Sequence, residues 1–135
     1  MNPHYSFVSS RARHACEYCH APEIVFNLSF EVEHINPQAL GGETTQENLA
    51  LSCRSCNLYK SDYVSAIDEL TGQETALFNP RRDEWREHFA FVEESGEVRG
   101  LTAKGRATIS RLRINSPAQV EARNYWLQLG LMSRG

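Results

Sequence analysis

The clearest alternation of apolar and polar residues in this chain runs from Ile24 to Ile35. In an extended segment, side chains two positions apart lie on the same face. The spacing gives one largely apolar face, made of Phe26, Leu28, Phe30, Val32 and His34. The pattern predicts a half-buried strand, followed by a loop that contains Pro37 and the pair Gly41-Gly42.

A second strand and a helix are predicted after this loop. The short apolar run from Leu49 to Ser52 is typical of a strand. A helix is expected from about Asn57, because the apolar residues that follow cluster on one face at 100° per residue. That face consists of Tyr59, Tyr63, Ala66, Ile67 and Leu70. The predicted order is therefore strand, loop, strand, helix.

The pattern changes after Gly72, where signals for helix ends become frequent. Asn79-Pro80 resembles an N-cap followed by a first-turn proline, which predicts a short helix carrying Trp85 and Phe89.

Two glycines and two further helical patterns follow in the last third of the chain. Gly96 and Gly100 predict a turn or a small hairpin. A helix is expected from Ala103 to Arg113. Another should start after Ser116, which has capping-box spacing, and stop at Gly130.

Length and composition fit one soluble globular domain, since 41% of the 135 residues are hydrophobic. No apolar run is long enough to cross a bilayer, and the first five residues lack the features of a signal peptide. We therefore expect no membrane partner and a cytoplasmic location. In that reducing compartment, paired cysteines favour metal binding over disulfides.

The formal net charge of -3 disfavours non-specific affinity for phosphates. Only a local concentration of positive charge could offset it. One candidate cluster consists of Arg99, Lys104, Arg106, Arg111 and Arg113, and a smaller one of Arg11, Arg13 and His14. Each cluster could equally be an ordinary solvated face.

Two Cys-x-x-Cys pairs are the strongest chemical signal in the sequence. Cys16 and Cys19 form one pair, and Cys53 and Cys56 form the other. Four thiolates match the tetrahedral preference of Zn²⁺ and leave no open position, so we predict a structural zinc site. Disulfides, a redox Cys-x-x-Cys, or ligation by His20 in place of one cysteine are the alternatives.

A polar set surrounds the second cysteine pair: Glu33, His34, Asn48, Asn57 and Lys60. Hydrolysis of a phosphodiester needs a base for the attacking water, and histidine, with an ordinary pKa of about 6.5, suits that role. The oxygens of Glu33 and Asn57 are the hard ligands that Mg²⁺ prefers. The set therefore indicates metal-assisted phosphodiester hydrolysis.

These residues carry a resemblance to a known family, the HNH endonucleases. The matching stretches are Glu33-His34-Ile35-Asn36-Pro37, Gly41-Gly42, Asn48-Leu49 and Cys53-Arg54-Ser55-Cys56-Asn57 with Lys60. The resemblance covers residues 16–62 and implies the ββα-metal, or His-Me finger, fold.

The resemblance also implies roles for individual residues. His34 would be the general base, and Glu33 and Asn57 would hold a catalytic Mg²⁺ or Mn²⁺. Asn48 would brace the loop and orient His34, while Lys60 would contact phosphate. The family more often has aspartate where this chain has Glu33 and histidine where it has Asn57, but Glu33 and Asn57 can each supply an oxygen ligand.

One geometric condition accompanies this interpretation. Neighbouring residues of a regular strand face opposite sides, so Glu33 and His34 could not both face one metal. The strand must twist or end near Glu33, and Pro37 makes such an end plausible.

The sequence therefore predicts a single α+β domain over residues 1–135. Its ββα-metal core, residues 16–62, would be stapled by a four-cysteine zinc site, and residues 73–135 would form a mainly helical extension. The predicted function is metal-dependent endonucleolytic hydrolysis of DNA. The alternative is a non-catalytic zinc-ribbon module that binds nucleic acid. The oligomeric state and the choice between DNA and RNA stay open.

Overall fold

The computed structural model describes residues 2–132, and the first half of this range is organised around a β-hairpin and a helix. The elements are helix α1 (Tyr5–Arg11), strands β1 (Glu31–His34) and β2 (Leu49–Ser52), and helix α2 (Arg54–Lys60). The strands pair antiparallel, with Glu31 opposite Ser52 and His34 opposite Leu49. This arrangement confirms the predicted ββα order.

The second half adds two more hairpins and three helices within the described range. They are β3 (Ser65–Ile67), β4 (Glu74–Ala76), α3 (Trp85–His88), β5 (Phe89–Val92), β6 (Glu97–Gly100), α4 (Ala103–Leu112) and α5 (Pro117–Gln128). Strand β3 pairs with β4, and β5 pairs with β6, each antiparallel. Small antiparallel sheets combined with helices confirm the α+β class.

The first strand is much shorter than its alternation suggested. Residues Glu23–Val25 form a 3-10 turn, and regular pairing starts only at Glu31. The Glu23 carboxylate is buried and accepts a 2.7 Å hydrogen bond from the backbone N–H of Phe30. That N–H therefore has a side-chain partner instead of a strand partner, and Leu28 is 49% exposed. The alternating pattern overstated the strand because a local polar contact replaced strand pairing.

The predicted helix after Asn57 also ends early. Helix α2 stops at Lys60, and Ser61 adopts a left-handed φ of 48°, which breaks the helical path. Ile67 and Leu70, expected on the helix face, are 53% and 74% exposed and belong to the β3–β4 hairpin region. The helix predicted from their spacing is therefore wrong beyond Lys60.

The predicted helix over Asn79-Pro80 is replaced by a turn. The Asn79 side chain accepts a 2.9 Å hydrogen bond from the backbone of Arg81, so it stabilises a turn and caps no helix. Helix α3 begins only at Trp85, and Phe89 already belongs to β5.

The later elements follow the sequence prediction closely. The β5–β6 hairpin lies where Gly96 and Gly100 indicated, and α4 and α5 have nearly the expected bounds. Gly130 has a φ of 70°, as expected for a glycine just beyond a helix end. The Ser116 side chain makes no capping hydrogen bond, however, whereas Thr102 caps α4 through the backbone of Gly105 at 3.0 Å.

One hydrophobic cluster contains residues from both the first half of the chain and the C-terminal extension. It includes Leu49 and Leu51 from β2 together with Phe78, Phe89 and Leu112 from the second half. Helix α4 packs against α2 and against both strands of the β3–β4 hairpin. The extension is thus packed directly onto the ββα core.

Two members of the larger basic cluster form ion pairs within the protein. Arg106 binds Asp68 through two hydrogen bonds of 2.9 and 3.0 Å, and these bonds hold the pKa of Asp68 well below its usual range. Lys104 pairs with Asp83 at 2.9 Å. The charge of these two cations is therefore already matched within the protein.

Three further basic side chains of the two clusters also have partners in the fold. The guanidinium groups of Arg111 and Arg113 lie over the rings of Tyr63 and Tyr59, with distances of 4.2 and 4.4 Å to the ring centroids. Arg11 donates to the backbone oxygens of Gln46 and Leu49.

None of the helices within residues 2–132 has both the length and the apolar character needed to span a bilayer.

Candidate metal sites and catalytic pocket

The four cysteines converge on one point. Their sulfur atoms lie within 4.8 Å of one another, and all four residues are buried and outside any disulfide. Cys19 Sγ and Cys53 Sγ are 3.7 Å apart. Tetrahedral zinc with bonds of about 2.3 Å needs sulfurs about 3.8 Å apart, so this set fits the ion.

Local backbone structure presents the sulfurs at this point. The first knuckle closes with a 3.0 Å hydrogen bond from the Cys16 N–H to the Ala21 carbonyl. In the second knuckle, Cys53 caps α2, and its sulfur accepts from the backbone of Cys56 at 3.4 Å. His20 lies outside the cluster, with its ring stacked on Trp85 at 4.0 Å. The cluster is therefore a four-cysteine zinc-type site.

Hydrogen bonding among the four thiols shifts the pKa values of Cys19 and Cys56 in opposite directions. Hydrogen bonds with Cys16, and then with Cys53 and Cys56, hold the pKa of Cys19 well below that of an ordinary thiol. Hydrogen bonds with Cys16 and Cys19 raise the pKa of Cys56 well above it. A bound divalent ion would make this difference in pKa irrelevant, because every coordinated thiol is deprotonated.

The loop between β1 and β2 is braced by Asn48. Its side-chain oxygen accepts from the Asn36 N–H at 2.8 Å, and its amide donates to the carbonyls of Asn36 and Glu43 at 3.0 and 2.8 Å. Gly42 lies against the same segment, since a Cβ there would come within 1.8 Å of the Asn36 carbonyl oxygen. A side chain at Gly42 would displace the loop. Asn48 thus holds the loop through three hydrogen bonds, and its effect on the orientation of His34 stays a prediction.

A cavity of about 380 Å³ opens where β1 ends beside α2. Its lining consists of Val32, Glu33, His34, Pro37, Gln38, Ala39, Asn57, Ser61 and Asp62. Three residues predicted for the reaction therefore share one cavity, although they come from different elements. The lining contains two acidic residues and no lysine or arginine, so its charge suits a cation.

The sequence interpretation required strand β1 to twist or end near Glu33, and the strand ends one residue later. Strand β1 finishes at His34, and the Glu33 side chain faces inward, with only 6% of its surface exposed. The His34 ring lies on the more exposed side, where its Nε2 is 2.8 Å from the Thr44 hydroxyl. The Gln38 amide donates to the same hydroxyl at 3.3 Å. Glu33 and His34 thus have different surroundings while bordering one cavity.

Glu33 is held at both carboxylate oxygens. The Tyr18 hydroxyl donates to one oxygen, and the Lys60 ammonium lies 3.2 Å from the other. Burial raises the pKa of Glu33 above the usual glutamate value, while the Lys60 charge and the Tyr18 hydrogen bond oppose that rise. Burial and the neighbouring Glu33 charge raise the pKa of Tyr18, so its phenol stays a donor.

Lys60 is buried beside the end of β1. Its side chain is 2% exposed and donates to the backbone oxygens of His34 and Ile35 at 3.3 and 3.0 Å. It does not line the cavity that contains His34. The ammonium group is thus engaged by the β1–α2 unit, and the expected contact with phosphate stays a prediction.

Lys60→Met is therefore expected to destabilise the fold by about 3 kcal/mol or more, since it leaves the buried Glu33 carboxylate without its ionic partner. Lys104→Met is the matched control, because its ion pair is partly exposed and should contribute less than about 1 kcal/mol. Urea unfolding of the zinc-loaded proteins measures both effects. Unchanged stability of Lys60→Met together with weaker nucleic-acid binding would instead support a phosphate contact.

Sequence reasoning missed Tyr18 and Thr44. Tyr18 stands between the two cysteines of the first knuckle, and nothing in the sequence indicates a contact with Glu33. Its contact with Glu33 depends on how the knuckle packs against β1. Thr44 reaches His34 only because the braced loop folds back, and nothing in the linear sequence marks it.

The fold and the sites together define a zinc-knuckle ββα protein with an oxygen-rich cavity beside a histidine. Residues 16–63 match the family model of the HNH endonucleases. The match spans both cysteine pairs, β1, β2 and α2, and confirms the resemblance for this segment. No curated protein and no solved structure matches the chain significantly. This family acts on nucleic acid, so the match supports a nuclease-type function in general for residues 16–63.

Proposed function

We propose that this protein is a metal-dependent endonuclease that hydrolyses phosphodiester bonds in DNA. The observation that carries the proposal is the shared cavity, which is bordered by a histidine from β1 and by oxygen donors from both β1 and α2. A base, a metal-binding surface and an opening to solvent are the minimum that this reaction needs. The match of residues 16–63 to a nuclease family supports the same chemistry.

In this mechanism His34 takes the proton of the attacking water. Its Nε2 contact with the Thr44 hydroxyl fixes the ring plane. When the Thr44 oxygen accepts a hydrogen bond from Nε2–H, the lone pair on Nδ1 is the one available to the water. The Gln38 amide donates to the same Thr44 hydroxyl and so helps to hold that hydroxyl in position. Asn48 keeps the loop that carries Thr44 and Gln38 closed against β1.

Glu33 and Asn57 would hold the catalytic ion, for which we propose Mg²⁺ or Mn²⁺. When bound, such an ion stabilises the negative charge that develops on the phosphate and on the leaving oxygen. Only two protein ligands are needed, because Mg²⁺ commonly keeps several waters. The donor set fits, since a carboxylate and an amide oxygen border one cavity that is free of lysine and arginine.

Purified, zinc-loaded protein is expected to convert supercoiled plasmid into nicked circles when Mg²⁺ or Mn²⁺ is added, because one site cuts one strand per visit. Without an added divalent ion, the plasmid should stay supercoiled. Agarose gel electrophoresis of the plasmid forms measures the conversion.

The same assay distinguishes the proposal from its alternative. Single-stranded RNA of matched length, run in parallel, tests the choice of DNA as substrate. Tight binding of plasmid without cleavage, at full zinc content and with either ion present, would contradict the nuclease and favour a zinc-ribbon binding module.

A further inference from the structure

The carboxylate of Glu33 is fixed by two buried neighbours rather than by the cavity itself. Tyr18 is 0% exposed and Lys60 is 2% exposed. One donates to the first carboxylate oxygen, and the other lies 3.2 Å from the second. A carboxylate has about four acceptor positions, so two remain for a metal ion after both contacts are made.

Tyr18 is itself fixed by two separate parts of the protein. It stands between Cys16 and Cys19, so the zinc-binding knuckle determines its backbone position. The indole N–H of Trp85, from the extension, donates to the Tyr18 carbonyl at 2.9 Å. The phenol that contacts Glu33 is thus placed by the zinc site on one side and by α3 on the other.

Lys60 links the same carboxylate to the strand end that carries the base. It follows Asn57 by one helical turn on α2, and Cys56 lies one residue before Asn57. Its ammonium group also binds the carbonyl of His34 at 3.3 Å. A short segment of α2 therefore carries a zinc ligand, a candidate ligand of the catalytic ion, and the anchor of Glu33.

We propose that Tyr18 and Lys60 are positioning residues that hold the Glu33 carboxylate in the orientation required to bind the catalytic divalent ion, and that Tyr18 thereby joins the zinc knuckle to the reaction centre. This inference rests on the proposed function, in which Glu33 is a ligand of that ion. Neither residue touches substrate. Both act through Glu33, as groups behind a metal ligand do in many metal sites.

Tyr18→Phe tests the proposal, because it removes the hydroxyl and keeps the ring that packs in the core. Loss of such a supporting contact typically costs 10–100-fold in metal affinity or activity, so Mn²⁺ should bind roughly tenfold or more weakly. Isothermal titration calorimetry of the zinc-loaded protein with Mn²⁺, without DNA, gives the affinity. Plasmid nicking over a series of Mn²⁺ concentrations should show the same rightward shift.

Tyr63→Phe is the matched control, since Tyr63 is half exposed and contacts Arg111 away from Glu33. It should bind Mn²⁺ and zinc as the wild type does. Zinc content and melting temperature are measured on every sample. Loss of zinc from Tyr18→Phe would overturn the proposal, because the hydroxyl would then serve the knuckle rather than Glu33.

Two further outcomes distinguish a failure of this inference from a failure of the proposed function. Wild-type Mn²⁺ affinity in Tyr18→Phe, with active wild-type enzyme, would overturn the positioning role and leave the nuclease standing. A wild-type protein that neither binds Mn²⁺ nor cuts DNA would overturn the proposed function, and the positioning role with it.

Discussion

Replacing His34 with alanine is expected to lower the rate of plasmid nicking by about 10²–10⁴-fold, the usual contribution of a general base. The ring borders the candidate cavity and is held at Nε2 by Thr44, and no second histidine lines that cavity among the described residues. Without the ring, the attacking water has no proton acceptor of suitable basicity at this position. Initial nicking rates at saturating Mg²⁺ measure the loss.

The variant should remain folded, which separates a catalytic loss from a structural one. The His34 side chain is only half buried, and its ring bonds to an exposed threonine. Its zinc content and melting temperature should therefore stay close to those of the wild type. His4→Ala, at the start of α1, serves as a control for the loss of a histidine elsewhere. Wild-type nicking by folded His34→Ala would show that another group accepts the proton.

Removal of zinc is expected to unfold the protein rather than merely reduce its activity. Binding of a structural zinc ion contributes about 10–16 kcal/mol in small zinc-binding units. Domains of this size are stable by only about 5–15 kcal/mol in total. All four ligands belong to the hydrophobic cluster that joins the two halves, so their loss would expose core residues. Cys56→Ser should therefore lose its cooperative thermal transition.

Circular dichroism during heating and zinc content by elemental analysis together check this result. Removal of zinc from the wild-type protein with a chelator should abolish the cooperative thermal transition, and addition of equimolar Zn²⁺ should restore it. A cooperative transition that persists in zinc-free protein at the original temperature would show that the hydrophobic cluster suffices without the ion.

The parts predicted well from the sequence are those in which local chemistry leaves few alternatives. Two Cys-x-x-Cys pairs in one chain predicted a single four-sulfur site, because zinc needs four ligands and each knuckle offers two. Strand β2 and helices α4 and α5 were likewise predicted nearly in full. In β2 and α4 the apolar positions coincide with burial, as at Leu51 and Leu112. In α5 only the bounds were predicted well, because Tyr125 and Leu129 are exposed while Arg123 and Leu127 are buried.

The errors arose where a tertiary contact replaced the partner that periodicity assumes. The alternation from Ile24 onward could not reveal that a buried Glu23 accepts the Phe30 N–H. The helical spacing after Asn57 could not reveal that Ser61 turns left-handed and ends α2. Periodicity reports the faces of a segment but not the polar group that interrupts it.

The sequence by itself determined the chemical inventory: the zinc ligands, a histidine at the end of a strand, and oxygen donors on the adjoining strand and helix. Only the tertiary structure decided how Glu33 and Lys60 are used. Both are charged residues, which are rarely fully buried unless paired, and the sequence does not show the partners that would bury them. Packing of the first knuckle against β1 instead buried them together with Tyr18. Burial of a charge depends on which distant groups can pair with it, and that pairing exists only once the chain has folded.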